Sequence, residues 1–374
     1  MTPLNTLQRA SRLALITLAV ALGTTACGGG GGAASTAAAP SAATLNVVST
    51  PNPNVFPLLL ALAANPALPV KLLAVASSGD AAGDLAAGSA DALLSMTYTA
   101  AQDVSNASVP DLELVSVNFW SGFWMVAPAS AHITQFSQLA GAGVLVSGPT
   151  SGGKGGGPDL IFQAAARRAG LSASSFQLCY LPVMQAAPMI LQQQAMNSNS
   201  ACNSGDTSAP LAISLVEPAA TGLVIDSTSS APASGTLTKA IDFQSLFSGY
   251  SAWPSSQLPH GGMSVRAPAL ADATKAASVQ TVLAAYRSAV DSIMAAKGNP
   301  AASLQIANTL SAGITTYYGQ FGLSLPAAAI AAALNNGGMV FRTDLAIGAI
   351  QPDLTSFLTE VVGTTPPASF FHPL

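Results

Sequence analysis

The chain has 374 residues, 50% of them hydrophobic and only 7% charged, with a formal net charge of −4. That balance excludes a nucleic-acid binder, which needs a basic stripe to neutralise phosphates, and the length suits two domains or one large domain of two lobes. Mean hydropathy is +0.46, but alanine supplies much of it, and beyond the N-terminus no run of about 18 apolar residues lacks a polar interruption.

The N-terminus reads as an export signal. Arg9 and Arg12 form a positive n-region, residues 13–22 an apolar h-region, and Thr24-Thr25-Ala26-Cys27 follows. This resembles the bacterial lipoprotein signal, in which a small residue precedes a cysteine that is lipidated and becomes the new N-terminus. Thr24 stands where that motif usually has leucine. Residues 1–27 are therefore expected to be a lipoprotein-type signal with a lipid anchor on Cys27, the alternative being an ordinary secretory signal cleaved nearby. Gly28 to Gly32 and the Ala/Ser/Thr run to residue 43 form a flexible tether.

The next segments alternate strand and helix at short spacing. Residues 44–49 read as a strand, 55–64 as an apolar helix, 70–75 as a second strand, and 80–87 as a helix ending at Gly88. Residues 89–95 read as a third strand, followed by a helix from about Thr97. Such alternation is the signature of a parallel sheet covered by helices, and in open sheets of that kind ligands bind beyond the carboxyl ends of the strands. Those ends carry Ser49, Thr50 and Asn52, then Ser95, Met96, Thr97 and Tyr98. Residues 112–128 are extended and aromatic, broken at Ser121-Gly122. Phe119, Trp120, Phe123 and Trp124 are either simple core or the hydrophobic wall of a cleft, supplied best by Trp120 or Trp124.

Residues 144–171 give a short buried strand (Val144, Leu145, Val146), a glycine-rich loop over 147–158, and an amphipathic helix from about Asp159 to Gly170. A loop of this kind aims backbone N–H groups and the positive end of a helix at an anion or polar ligand. Ser147, Thr150, Ser151, Gly152 and Lys154 are its candidate contacts, with Lys154 either touching an anion or solvated at the loop tip. The run from Gly148 to Lys154 fits the first part of a nucleotide-binding loop, but Gly155 stands where that motif needs Ser or Thr for magnesium.

Beyond it, residues 176–181 read as a strand, 184–196 as a helix, 197–209 as a polar loop and 211–216 as a strand delivering Glu217-Pro218 to a helix opened by Ala219. Glu217 either accepts a hydrogen bond from a ligand or caps that helix. Cys179 and Cys202 would be joined in an oxidising compartment, or else are two buried free thiols. Val279, Leu283, Tyr286, Val290 and Ile293, at steps of 4, 3, 4 and 3, mark a long helix ended by Asn299-Pro300. Helices follow over 301–310, 326–334 and about 344–361. No zinc-ligand spacing, serine elbow or paired carboxylate stands out, so neither a metal, nor a cofactor, nor a catalytic residue is expected.

Four pieces, in this order, resemble an extracytoplasmic solute-binding protein of the nitrate/sulfonate/taurine ABC importer class. They are Leu85-Ala86-Ala87-Gly88-Ser89-Ala90-Asp91-Ala92; Phe136-Ser137-Gln138-Leu139-Ala140-Gly141 with the strand and loop after it; Val216-Glu217-Pro218-Ala219-Ala220-Thr221; and residues 282–300, VLAAYRSAVDSIMAAKGNP. The resemblance covers about residues 44–363. It implies the type II periplasmic binding protein fold, an α/β architecture of two lobes, each a mixed sheet covered by helices, around an interlobe cleft. Residues 44–120 would open lobe 1, 121–246 form lobe 2, and 247–374 return to lobe 1 and add the C-terminal helices. It further implies a monomer at the periplasm or cell surface, a small polar or anionic solute, and an ABC permease with its ATPase as partners. Where that family often repeats a Gly-x-x-Asp-Ala pattern, residues 192–209 hold an insertion-like loop, so the solute need not be one of the class's named substrates. The alternatives on this fold are an enzyme of pyrimidine or menaquinone-precursor synthesis, or a lipoprotein that senses a solute.

Overall fold

The computed structural model describes residues 43–148, 153–202, 208–229 and 232–373. The expected signal, the tether up to residue 42, Cys27, Thr150, Ser151 and Gly152 lie outside the described residues.

Among the described residues two mixed sheets form. The first has the order β11-β4-β10-β3-β1-β2, built from β1 (Leu45–Ser49), β2 (Val70–Ala74), β3 (Ala92–Met96), β4 (Leu112–Ser121), β10 (Gly261–Arg266) and β11 (Val340–Phe341). The second has the order β7-β6-β8-β5-β9, built from β5 (Phe123–Pro128), β6 (Gly143–Gly148), β7 (Gln177–Pro182), β8 (Ala212–Val216) and β9 (Leu237–Asp242). In each, a parallel trio (β3-β1-β2 and β7-β6-β8) is extended by antiparallel strands. The inner parallel strands bury apolar residues on both faces, as crossover helices require, while the edge strands β2 and β7 expose Lys71 and Gln177. In β1, Leu45 and Val47 face one layer and Val48 the other, all fully buried.

The helices that matter to the cleft are α1 (Phe56–Ala64), α2 (Ser78–Ala86), α3 (Thr97–Ser105) and α4 (Gly157–Arg168). Then come α5 (Val183–Leu191), α6 (Ala219–Ser229), α7 (Phe243–Leu246), α8 (Ala267–Ala271), α9 (Ala273–Ala295), α10 (Pro300–Tyr318), α11 (Ala327–Asn335) and α12 (Ile347–Val362). All five residues of the predicted stripe on α9 are buried, and they pack with Phe56, Leu59 and Ile314 against the first sheet. Asp272 accepts from the Thr274 and Lys275 amides at the start of α9, and Asn299 from the Ala302 amide at the start of α10, so each helix begins at a capped turn.

Local chemistry moved several predicted boundaries. The third strand starts at Ala92 rather than residue 89, because the Ser89 and Ala90 amides donate back to the Asp84 carbonyl and Gly88 takes φ +74°. The helix predicted over 184–196 stops at Leu191. There Gln193 adopts φ +50°, and the Gln194 and Gln193 amides close on the Met189 and Ile190 carbonyls, a Schellman ending. The helix predicted over 301–310 runs on to Tyr318. β9 and β11 carry no alternation strong enough to read in advance. β10 hides behind Gly261-Gly262, residues of low strand propensity that are required by close approach: a Cβ on Gly262 would lie 2.3 Å from the Ser116 carbonyl oxygen.

The chain passes between the sheets twice, at Gly122 between β4 and β5, and through the segment from α7 to β10. Gly122 has φ +147°, and a Cβ there would sit 2.5 Å from Phe119 Cζ, so glycine is the residue that lets β4 turn into β5.

Candidate functional site

A cavity of about 760 Å³ lies between the two sheets, where the parallel strands of both end. Thr50 and Asn52 come from the end of β1, Ser95 and Met96 from β3, Gly148 from β6 and Tyr180 from β7. This is the position that parallel-sheet topology assigns to ligands.

Three helices start at this cavity. At α2, Ser77 Oγ accepts from the Asp80 amide while Asp80 Oδ2 accepts from the Ser77 amide, a reciprocal capping box that satisfies two donors. α3 follows β3 without a break, and its N-cap, Met96, provides no side-chain acceptor. α4 begins at Gly156, which likewise provides none. The first turn of α3 therefore presents positive partial charge without a capping side chain, although its Thr97 amide donates to the His260 carbonyl, whereas the first turn of α4 contains Pro158, which has no N–H, and the acidic Asp159.

The two walls touch. A Cβ on Gly157 would lie 3.0 Å from both Met96 Cγ and Thr99 Oγ1, and one on Gly156 would lie 3.6 Å from Ser78 Oγ. Glycine at 157 thus lets the start of α4 seat against α3.

The glycine loop is braced by a residue that sequence reasoning missed as a contact. Asp159 is 3% exposed. Its carboxylate accepts from the Gly155 amide (2.8 Å), Gln163 Nε2 (2.9 Å) and the Tyr180 hydroxyl (3.0 Å). Burial, with the Asp159 charge added, raises the Tyr180 phenol above its usual range, so it stays a neutral donor. Lys154 Nζ lies 5.8 Å from the centre of the Tyr180 ring, and its side chain is exposed at the cavity edge.

Of the candidates from sequence, Thr50, Asn52, Ser95 and Lys154 share the cavity. Asn52 is held by donating to the Thr50 carbonyl (3.0 Å) and Thr50 Oγ1 (3.1 Å), and its Oδ1 accepts from the Asn54 amide (2.9 Å). Ser95 Oγ donates to the Met96 carbonyl (3.1 Å). Four other candidates stand away from it. Thr97 is buried, with its hydroxyl on the Pro259 carbonyl and its amide on that of His260. Trp120 is core, fully buried against Trp253 with ring centres 5.7 Å apart.

Ser147 donates to the Leu181 carbonyl (3.0 Å), and Glu217 is fully buried. Glu217 caps α6 through the Thr221 amide (3.1 Å) and hydroxyl (3.0 Å) and pairs with Lys239. The ligand role considered for it gives way to the capping one. Ser147 and Glu217 instead line a small neighbouring space of about 30 Å³, mostly apolar, which shares Asn52 and Gly148 with the main cavity.

Sequence reading also missed Ser77, Ser78, Thr99 and Asp103, all on the cavity wall. The capping pattern Ser-x-x-Asp at 77–80 was a usable signal for the first two. For Thr99 and Asp103 the only signal was their four-residue spacing on a helix that begins at a strand end. Cys179 and Cys202 are joined by a disulfide, which holds Cys202 at the cavity wall beside β7. Among the described residues no cluster of His, Cys, Asp and Glu is placed to hold a metal, and no helix is long and apolar enough to cross a membrane.

No family model matches the chain, and no curated protein matches its sequence. Several solved structures do match its fold. The periplasmic aliphatic sulphonate binding protein SsuA from Escherichia coli is 16% identical, covers 86% of each chain and has a TM-score of 0.57. The alkanesulfonate-binding protein SsuA from Xanthomonas axonopodis pv. citri, bound to MOPS, is 14% identical over 89% of this chain and 99% of that one, with a TM-score of 0.57. A Candida albicans protein described as having the generic periplasmic binding protein structural fold is 12% identical over 88% and 96%, with a TM-score of 0.54. At such identities the likeness establishes the fold: this chain has the periplasmic binding protein fold.

Proposed function

We propose that this chain is the solute-binding component of an ABC importer. It captures a small polar or anionic solute, of sulfonate, nitrate, carboxylate or vitamin-precursor type, and presents it to a membrane permease and its ATPase. The observation that carries this reading is the 760 Å³ cavity between the sheets, lined from the ends of the parallel strands of both and by the start of α3, which has no capping side chain. Backbone donors and helix ends suit an anion that must be bound and released without chemistry. The two similar sulfonate-binding proteins support it at the level of fold.

On this reading Thr50, Asn52 and Ser95 contact the solute from one wall. Lys154 and the loop before α4, with Thr150, Ser151 and Gly152, contact it from the other. Residues 44–120 and 247–374 form one lobe and 121–246 the other, and closure around the solute is a hinge motion at the two crossings. The protein works outside the cytoplasm as a monomer, tethered through a lipid on Cys27, and needs neither cofactor nor catalytic residue.

A thermal-shift screen against sulfonates, nitrate, bicarbonate, carboxylates, amines and vitamin precursors tests it. A solute at 100 times its dissociation constant adds about 2.7 kcal/mol of stability. If no small solute moves the melting temperature, the proposal is wrong. For an anionic solute, Lys154→Ala is expected to weaken binding, and an unchanged affinity removes Lys154 from the site.

A further inference from the structure

The two crossings between the sheets meet at one side chain. Gln244, in α7 at the start of the returning segment, is fully buried. The last rung between β5 and β9 joins Trp124 to Asp242, after which the chain turns into α7. One residue nearer to Gly122, the Gln244 side chain continues the ladder. Its Oε1 accepts from the Phe123 amide (3.1 Å), and its Nε2 donates to the Phe123 carbonyl (3.4 Å). The same Oε1 accepts from His260 Nε2 (2.7 Å), and the same Nε2 donates to Asp242 Oδ1. Both acceptor positions and both protons of this amide are thus used. The arrangement puts the His260 proton on Nε2 and leaves Nδ1 to face the Tyr98 hydroxyl at 3.5 Å.

The places of these partners decide what the contact does. Phe123 follows Gly122, where the first crossing enters the second sheet. His260 precedes Gly261, where the second crossing re-enters the first sheet, and Gln244 stands where that crossing leaves the second. On the side of the first sheet the crossings are also tied by backbone. The Leu258 amide donates to the Trp120 carbonyl (2.7 Å), and the His260 carbonyl accepts from the Thr97 amide (2.9 Å). Gln244 carries this tie past Gly122 to the second sheet. Rotation at Gly122 alone would draw Phe123 and His260 off the same amide and leave buried polar groups without partners, a change that a fully satisfied network resists.

We infer that Gln244 is a clasp that couples the two crossings, so that the sheets turn about one shared pivot rather than at two independent joints. The use of such a pivot, closure on a solute, rests on the importer reading. The clasp itself does not, and its test needs no solute.

The test is amide hydrogen exchange of the ligand-free protein, read by mass spectrometry over residues 119–126 and 258–264. Gln244→Met keeps a long side chain and removes its hydrogen bonds. It is expected to speed exchange in both segments by about tenfold or more, the scale set by buried groups that lose their partners, and Gln244→Ala should do the same. Val290→Ala, in the buried stripe of α9, is the control for general destabilisation and should speed α9 rather than the crossings. Faster exchange in the first segment alone would mean that Gln244 protects Phe123 and couples nothing, which overturns the inference. Wild-type exchange in Gln244→Met, or a pattern that Val290→Ala reproduces, overturns it as well. If the variants at 244 do not fold, His260→Phe breaks the contact from its other end and is held to the same outcomes. A clasp that fails this test leaves the importer reading standing, and a solute screen that finds nothing leaves the clasp standing.

Discussion

At the scale of single residues, polar groups in this protein divide into those engaged by the fold and those left for something else. Thr50, Asn52, Ser95 and Lys154 were legible in the sequence because each follows directly from a strand end or sits in a glycine-rich loop. Thr97, Ser147 and Glu217 follow strand ends too, but their partners are Pro259, Leu181 and Lys239, too far along the chain to foresee. His260 is the sharpest case of a polar group given to the core. It is fully buried between Tyr98, Phe119 and Phe123, with Nε2 2.7 Å from Gln244 Oε1, and burial lowers its pKa from 6.5 to about 3. The unfolded chain therefore takes up a proton below pH 6.5 that the native protein refuses. Stability is present above that pH and is lost on acidification, at about 1.4 kcal/mol per pH unit. Between pH 7.5 and 5.0, urea unfolding of the wild type should lose about 2 kcal/mol more than that of His260→Gln. Asp103 acts with the opposite sign between its ordinary value of 3.8 and about 6, and comparison of the two proteins cancels its effect. Equal losses would show that His260 is not the source. The buried Glu217–Lys239 pair gives a second check: Lys239→Met strands the carboxylate with Thr221 alone and should cost about 3–5 kcal/mol, most of it recovered by adding Glu217→Gln. A neutral Lys239→Met in the same unfolding assay would contradict this.

At the scale of elements, the long apolar or strongly periodic segments read correctly. α9 shows its stripe, and the break at Ser121-Gly122 marks where β4 becomes β5. What failed to read were β9, β10 and β11, whose burial comes from neighbours in the sheet rather than from their own alternation. The start of α4 is the element on which the site depends most. Its Gly157 permits the contact with Met96 and Thr99 across the cavity, and both obstructing atoms belong to side chains that must move if a methyl is added. On the proposed reading Gly157→Ala is expected to weaken solute binding by about 1–3 kcal/mol, a loss of roughly 5- to 150-fold in Kd, through overpacking at this contact. Calorimetric titration that returns the wild-type Kd would mean that the walls do not need to meet here. The disulfide acts on a neighbouring element, fixing the polar insertion after α5 against β7. With its cysteines 23 positions apart, the paired replacement Cys179→Ser/Cys202→Ser should lower unfolding stability by about 3 kcal/mol through release of chain entropy.

At the scale of the molecule, two sheets joined by two crossings could unfold as two units or as one. Ring contacts argue for one. From Tyr98 on α3 the contacts run to His260, then to Phe123 and Phe243 at the crossings, and on to Phe136, Phe162 and Phe176 against the second sheet. A branch passes from Tyr98 to Phe357 on α12 and on to Phe247 and Trp253 in the returning segment. α12 also binds the second half directly, where Arg168 on α4 pairs with Glu360 and Tyr250 donates to Glu360 Oε2 at 2.6 Å. Buried residues of both sheets belong to this single apolar cluster, including Val48, Leu93 and Leu114 from the first and Met125, Val144 and Val146 from the second. Unfolding either half would expose the aromatic surface of the other, so the halves should melt together. Scanning calorimetry of the ligand-free protein is expected to give one transition, with a van't Hoff enthalpy close to the calorimetric one. Two resolved peaks would break the argument. On the proposed importer reading the same coupling would constrain closure: a hinge through a packed aromatic cluster pivots about it rather than pulling it apart. A bound solute should therefore move the whole transition upward as one peak, with the shift set by the ratio of free solute to its dissociation constant.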